Sequence, residues 1–253
     1  MKGGKKPLNK KEDNTGSAEV LRLNKYIANS GVCSRREADQ LIAEGKIKVN
    51  GKVITELGFK VNATDKVVFQ GKQLNPETLQ YVLLNKPTDF ITTMSDPQGR
   101  KTVMQLVKNA CDERIFPVGR LDRKTTGLLL FTNDGELAKK LTHPSHQIKK
   151  IYQVTLNKPI TNNDFDAILA GVPLEDGLAN VRELAIIDED NTSLGIEIHI
   201  GKNRIVRRIF EHFGYDVVKL DRVMFGPLTK KNLPRGKWRH LSDKEIGQLK
   251  RLS

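Results

Sequence analysis

The sequence predicts an α+β protein built from two domains, and three observations carry that expectation. Segments patterned as strands outnumber those patterned as helices, and the two do not alternate as a doubly wound parallel sheet requires. A turn-rich stretch, Asn75-Pro76-Glu77, separates a short basic region from a longer one with its own apolar runs. The length, 253 residues, allows one sizeable core plus a small second domain. The boundaries read as a basic arm over 1–18, a small domain over 19–78 and a larger domain over 79–253.

The arm is rich in Lys, Gly and Asn and almost free of large apolar side chains, so it is expected to be disordered. Beyond it, Leu23, Ile27 and Ala28 fit one face of a short helix ending near Gly31. Ser34 and Glu37 then have the spacing of a capping box, followed by the apolar stripe Ala38, Leu41 and Ile42 and a stop at Gly45. Asn50-Gly51 between alternating Val and Ile predicts a tight hairpin, and Val67 to Gly71 a further strand. Arg35 and Arg36 fall in the first turn of the second helix, where the helix dipole disfavours cations. A phosphate backbone would compensate for that, and so would simple solvation.

In the larger domain, YVLLNKP reads as a strand stopped by Pro87. Gly119 to Gly135 then reads GRLDRKTTGLLLFTNDG. It places Asp122 between Arg120 and Arg123, just before an apolar strand that an Asn-Asp-Gly turn closes. A carboxylate between guanidiniums stays ionised, and one set before a buried strand is held in place. Those are the requirements of a nucleophile or base, although an ordinary surface salt bridge has the same local signature. ELAKKLTHP follows as a short helix. KKIYQVTL alternates as a strand, with Tyr152, Val154 and Leu156 on one side. A helix near residues 163–169, a hairpin of ELAIIDED with SLGIEIHI, a basic turn into a helix at GKNRIVRRIFEHFGY and a strand at VVKLDRVMFG complete the pattern. In that basic helix, Lys202, Arg204, Arg207 and Arg208 interleave with Ile205, Val206, Ile209 and Phe210, so one side is buried and the other cationic. An inward-facing Arg207 needs a partner, and Asp122 is a natural one. A core aromatic or a ring stacked on a nucleobase both suit Tyr152.

Composition narrows the partners. Lys and Arg number 43 against 30 Asp and Glu, a formal net charge of +13, which favours a polyanion. No stretch approaches the ~18 apolar residues of a membrane span. The start, MKGGKKPLNK, lacks the apolar region of a secretory signal. No long basic amphipathic helix suggests a membrane surface. Cys33 and Cys111 do not form a disulfide framework, and a cytoplasmic location is expected. His143 and His146 lack companion ligands for a metal site. The run from Gly195 to Asn203 has the wrong spacing for a phosphate loop, and no glycine loop of the methyltransferase kind appears.

The stretch LRLNKYIANSGVCSRREADQLIAEGKIKVNGKVI resembles the small RNA-binding domain first recognised in ribosomal small-subunit protein four, the S-four or alpha-L domain. The resemblance covers about Leu21 to Phe69 and implies that Lys25, Arg35, Arg36, Lys46 and Lys48 line an RNA-facing surface. YVLLNKP, the GRLD segment, KKIYQVTL, GKNRIVRRIFEHFGY and a closing LPRGKWRHLS occur in the order found in the RsuA-like family of ribosomal RNA pseudouridine synthases. The wording is most similar to the RluB type. This resemblance implies a mixed, largely antiparallel central sheet with an RNA cleft. It makes Asp122 the catalytic aspartate, Tyr152 the ring stacked on the target uracil and Arg207 the basic partner of the aspartate. Arg120 would fill the space vacated by the flipped base, and Lys86 would lie at the cleft wall. Lys202, Arg204 and Arg208 would contribute to the RNA-binding surface. Two positions depart from the pattern: Ile205 replaces a more usual polar residue, and Asp89 stands where Gly is common. The implied reaction isomerises uridine to pseudouridine in ribosomal RNA, with the large subunit favoured, by a monomer that needs no metal or cofactor. The competing expectation is a non-catalytic ribosome assembly factor that uses the S-four domain alone.

Overall fold

The computed structural model describes residues 20–252. The basic arm expected over 1–18 lies outside them. The chain divides into two compact units between Glu77 and Thr78.

In the first unit, β1 (Leu21–Arg22) leads into α1 (Leu23–Asn29), and α2 (Arg35–Ala43) follows. The helices are separated by Gly31, whose φ of 74° suits glycine. Ser34 and Glu37 form the expected reciprocal capping box on α2. Strands β2 (Ile47–Val49) and β3 (Lys52–Ile54) pair as a hairpin. Asn50 and Gly51 both adopt positive φ, as the tight turn demands. The short β4 (Lys60–Val61) pairs with β1, while β5 (Val67–Phe69) and β6 (Lys72–Gln73) extend the hairpin sheet. Leu23, Ile27, Ala38, Ile42, Ile47 and Val67 pack into the unit's own core.

The second unit is organised by a nine-stranded sheet among the described residues. Its strands are β7 (Tyr81–Lys86), β8 (Phe116–Pro117), β9 (Thr126–Thr132), β10 (Lys150–Leu156), β13 (Glu183–Ile186), β14 (Ser193–Ile198), β15 (Val217–Phe225), β16 (Leu228–Thr229) and β17 (Trp238–His240). A separate hairpin of β11 (Val172–Leu174) and β12 (Gly177–Ala179) precedes β13. The main path runs β13-β14-β10-β15-β9-β7-β17, antiparallel except where β15 lies parallel to β9. This is the mixed, largely antiparallel sheet expected, in an α+β fold.

Strand β9 is buried along almost its whole length, because both sheet faces are covered. Leu129 and Phe131 enter one core, together with Val154, Ile196, Ile209 and Phe210. Leu128 and Leu130 enter a second core, with Leu137, Leu141, Phe225 and Leu249. The covering helices are α3 (Val103–Val107), α4 (Gly135–Thr142), α5 (Asn162–Ala170), α6 (Ile205–His212) and α7 (Asp243–Arg251). The parallel pair makes Gly127 obligatory. A Cβ there would collide with the backbone N and O of Arg222, and its φ is 105°.

Candidate active site

Asp122 sits in the loop between β8 and β9, half-buried, directly after the buried Leu121. The loop is braced on both sides. Thr92 Oγ1 donates to the Leu121 carbonyl at 2.8 Å, and Asp89 N donates to Arg123 O at 2.9 Å. Thr125 N closes a turn onto Asp122 O at 3.0 Å. Beneath it lies Lys86, at the end of β7 and 0% exposed. Its ammonium donates to the carbonyls of Pro87, Asp122, Arg123 and Thr125 at 3.1, 3.1, 3.3 and 2.8 Å. Burial pulls the Lys86 pKa down to about 8, although the charges of Asp122 and Asp89 push it back up. Four carbonyl dipoles favour the charged ammonium, so we take it as protonated at neutral pH.

This corrects the expected place of Lys86. It does not line the cleft wall for RNA. It lies under the aspartate loop, on a strand buried at every position because both of its faces are covered. The network continues outward. Arg235 donates to Asn85 Oδ1 and to Asp221 Oδ1, each at 2.8 Å, and Asp221 accepts from Thr126 at the start of β9. Arg235 and its LPRG turn thus brace β7 against β15.

Tyr152 projects from β10 and is 8% exposed. It lines, with Asp122, a cleft of two lobes. The smaller lobe, about 70 Å³, is bounded by Arg120, Asp122, Tyr152, Ile205, Val206 and Leu220. The larger lobe, about 250 Å³, adds Lys150, His199 and Arg222. The structure therefore brings Asp122, Tyr152 and Arg120 to one cavity. Arg120 is exposed and makes no hydrogen bond or ion pair among the described residues. Ile205, the departure from the family pattern, is a buried apolar wall of that cavity.

Arg207 is buried on α6, and its Nη1 donates to Val217 O at 2.6 Å. Its Nε and Nη2 are buried without an acceptor. Burial and the charge of Arg204 lower its pKa, while Asp122 and Glu211 oppose that shift. Arg207 and Asp122 thus feel each other's charge, but no ion pair within 4.0 Å joins them among the described residues. The direct pair expected from sequence is not made here; the guanidinium's bond is to Val217 O. Arg123 likewise pairs with Asp89, at 3.3 Å, and not with Asp122.

The other expected RNA contacts fall into two groups. On the first unit, Arg35, Arg36, Lys46 and Lys48 are exposed, and Lys46 pairs with Glu44 at 2.6 Å. Lys25 lies on α1, half-buried. Around α6, Lys202 and Arg208 converge on Asp176, and Arg204 reaches Glu211 at 3.0 Å. Partly exposed pairs of this kind contribute about 0–1 kcal/mol, so a phosphate can displace the carboxylate at little cost. Arg204 caps α6 in the left-handed region, φ 46°. The described residues hold no cluster of three or more His, Cys, Asp or Glu fit for a metal, and none of their helices is long and apolar enough to cross a membrane.

A sheet of this topology, with an aspartate loop facing a strand tyrosine across a basic cleft, defines an RNA-modifying enzyme fold joined to a small RNA-binding domain. The RNA pseudouridylate synthase model matches residues 80–212, and the S4 domain model matches residues 21–67. The chain belongs to the RNA pseudouridine synthase family. It is 42% identical to ribosomal large subunit pseudouridine synthase B of Bacillus subtilis (strain 168), covering 92% of this chain and 96% of that one. It is 38% identical to the dual-specificity RNA pseudouridine synthase RluF of Escherichia coli (strain K12), covering 92% and 79%. A crystal structure of a pseudouridylate synthase superposes with a TM-score of 0.66 at 31% identity, covering 90% of this chain and 99% of that one. These relationships support the catalytic expectation over the non-catalytic assembly factor.

Proposed function

We propose that this chain converts a uridine of large-subunit ribosomal RNA to pseudouridine, acting as a monomer in the cytoplasm. The observation that carries the reading is that Asp122, Arg120 and Tyr152 line one small cavity in a chain of this family. The reaction breaks the N1–C1′ bond, turns the uracil and joins C5 to C1′, so it needs no redox partner. The uracil must leave its stack, at a cost of a few kcal/mol. Stacking on Tyr152 offsets part of that, about 1–3 kcal/mol. Insertion of the exposed Arg120 holds the gap open.

With the base in the small lobe, the ribose comes to Asp122. Its carboxylate either adds to C1′, as a glycosidase nucleophile does, or takes the 2′ proton to give a glycal. Both routes need an ionised, fixed carboxylate. The Lys86 cage fixes its main chain. Ile205, Val206 and Leu220 give the small lobe an apolar wall. The cations of the first unit grip backbone phosphates.

The test is to map pseudouridines in both ribosomal RNAs with and without the gene. The expected result is the loss of a large-subunit pseudouridine. A change confined to the small subunit would overturn the substrate, and no change in either would overturn the reading.

A further inference from the structure

We propose that Lys150 and Arg222 form a subsite for a backbone phosphodiester of the RNA strand, in the larger lobe beside Tyr152. The proposal rests on the pseudouridine synthase reading and names a substrate contact within it. Tyr152 and Arg222 are cross-strand partners on β10 and β15, and Lys150 stands two residues before Tyr152. All three therefore share the sheet face that lines the lobe. A register shift between Ile151 and Tyr152 marks a bulge there, a device that re-aims neighbouring side chains.

Arg222 is 3% exposed. Its Nε donates to Leu128 O at 2.8 Å, and its guanidinium lies over the Phe225 ring at 4.8 Å. Its buried Nη2 has no acceptor. Lys150 Nζ donates to the carbonyls of Ile148 and His199 at 2.8 and 2.9 Å, which leaves one of its three N–H donors. Among the described residues, Asp122 is the one carboxylate lining the lobe. Glu197, on the adjoining β14, is engaged by Lys149 and His199. A buried guanidinium and a half-buried ammonium thus share a cavity, and neither forms an ion pair with a carboxylate among the described residues. Burial and the nearby Arg222 pull the Lys150 pKa down to about 8, a shift that a bound anion reverses.

The two lobes divide the nucleotide between them. Both lobes share Arg120, Lys202 and Arg204; the small lobe sets Val206 and Leu220 beside Tyr152 as walls suited to a ring, and only the larger adds Lys150 and Arg222. Asp122 lines both, and in a nucleotide the ribose joins base to phosphate.

The test compares the full chain with Lys150→Met, Lys150→Arg and, as a control, Lys158→Met, which removes an equal charge outside the cleft. Binding to transcribed large-subunit ribosomal RNA is followed from about 50 to 200 mM salt. Lys150→Met is expected to flatten the log–log salt slope by about 0.7–0.9, one phosphate's share. Lys150→Arg and Lys158→Met should keep the wild-type slope. An unchanged slope in folded Lys150→Met overturns the subsite, and so does an unchanged slope with a lower turnover number, which would move Lys150 to the base. Should Lys150→Met not fold, the wild-type Lys150 Nζ resonance is titrated with inorganic phosphate. A raised pKa supports the subsite and an unmoved one overturns it. Wild-type turnover of the RNA is measured in parallel, so failure of the enzyme reading is seen separately.

Discussion

The Lys86 ammonium and the main-chain carbonyl of Asp122 lie 3.1 Å apart, and a lysine with no exposed surface thereby holds the aspartate loop from below. Removing the ammonium takes a donor from the carbonyls of Pro87, Asp122, Arg123 and Thr125, of which Asp122 and Arg123 keep a main-chain N–H partner. Lys86→Met is expected to cost about 3 kcal/mol in urea unfolding. It should also lower the turnover number more than RNA affinity, because Lys86 positions the loop and does not touch RNA. Lys86→Arg should not restore turnover, since a planar guanidinium cannot fill the same cage.

Asp221 links acid stability to the same brace. Burial raises its pKa, but hydrogen bonds from Arg235, Lys230 and Thr126 outweigh that and bring it down to about 2 from 3.8. A depressed folded-state pKa gives stability that is complete above about pH 4 and lost as pH falls through 2. The shift corresponds to about 2 kcal/mol. Unfolding measured from pH 5 to pH 2 should show that much less acid-induced loss in Asp221→Asn than in wild type.

Gly127 marks the tightest backbone approach in the site's scaffold. Gly127→Ala forces apart β9 and β15, the parallel pair behind the aspartate loop. A loss of at least about 3 kcal/mol is expected, read as a lower thermal midpoint.

Arg35 and Arg36 sit at the exposed N-terminal turn of α2. The double change Arg35→Glu, Arg36→Glu should weaken RNA binding and flatten its salt slope by about 1.4–1.8, two phosphates' share. Turnover on saturating RNA should be nearly unaffected. Wild-type affinity in that variant would remove these residues from the RNA surface.

Much of this was legible in the sequence because the signals are local. Capping at Ser34, the Asn50-Gly51 turn and the alternation of β10 follow from short-range chemistry, and each formed as expected. The separation of Asp122 from Arg207 was not legible, nor was the bond Arg207 makes to Val217 O, a carbonyl ten residues beyond it, since spacing alone does not fix contact. Nor was the burial of Lys86, because a lysine at the end of an apolar strand reads as exposed unless three carbonyls of the distant aspartate loop are known to surround it. The roles of Lys150 and Arg222 depend on β-sheet register, which periodicity cannot supply. Helix α7 was missed although its signal was present: Ser242 and Glu245 form a capping box just as Ser34 and Glu37 do.

The central claim is that the carboxylate of Asp122 performs the isomerisation. Asp122→Asn keeps the size and the main-chain bonds of the loop but removes the charge. Tritium release from ribosomal RNA carrying 5-tritiated uridine, measured alongside RNA affinity, tests it most directly. The account predicts no release above background with affinity within about threefold of wild type, a difference under 1 kcal/mol. Wild-type release from the folded variant would contradict it.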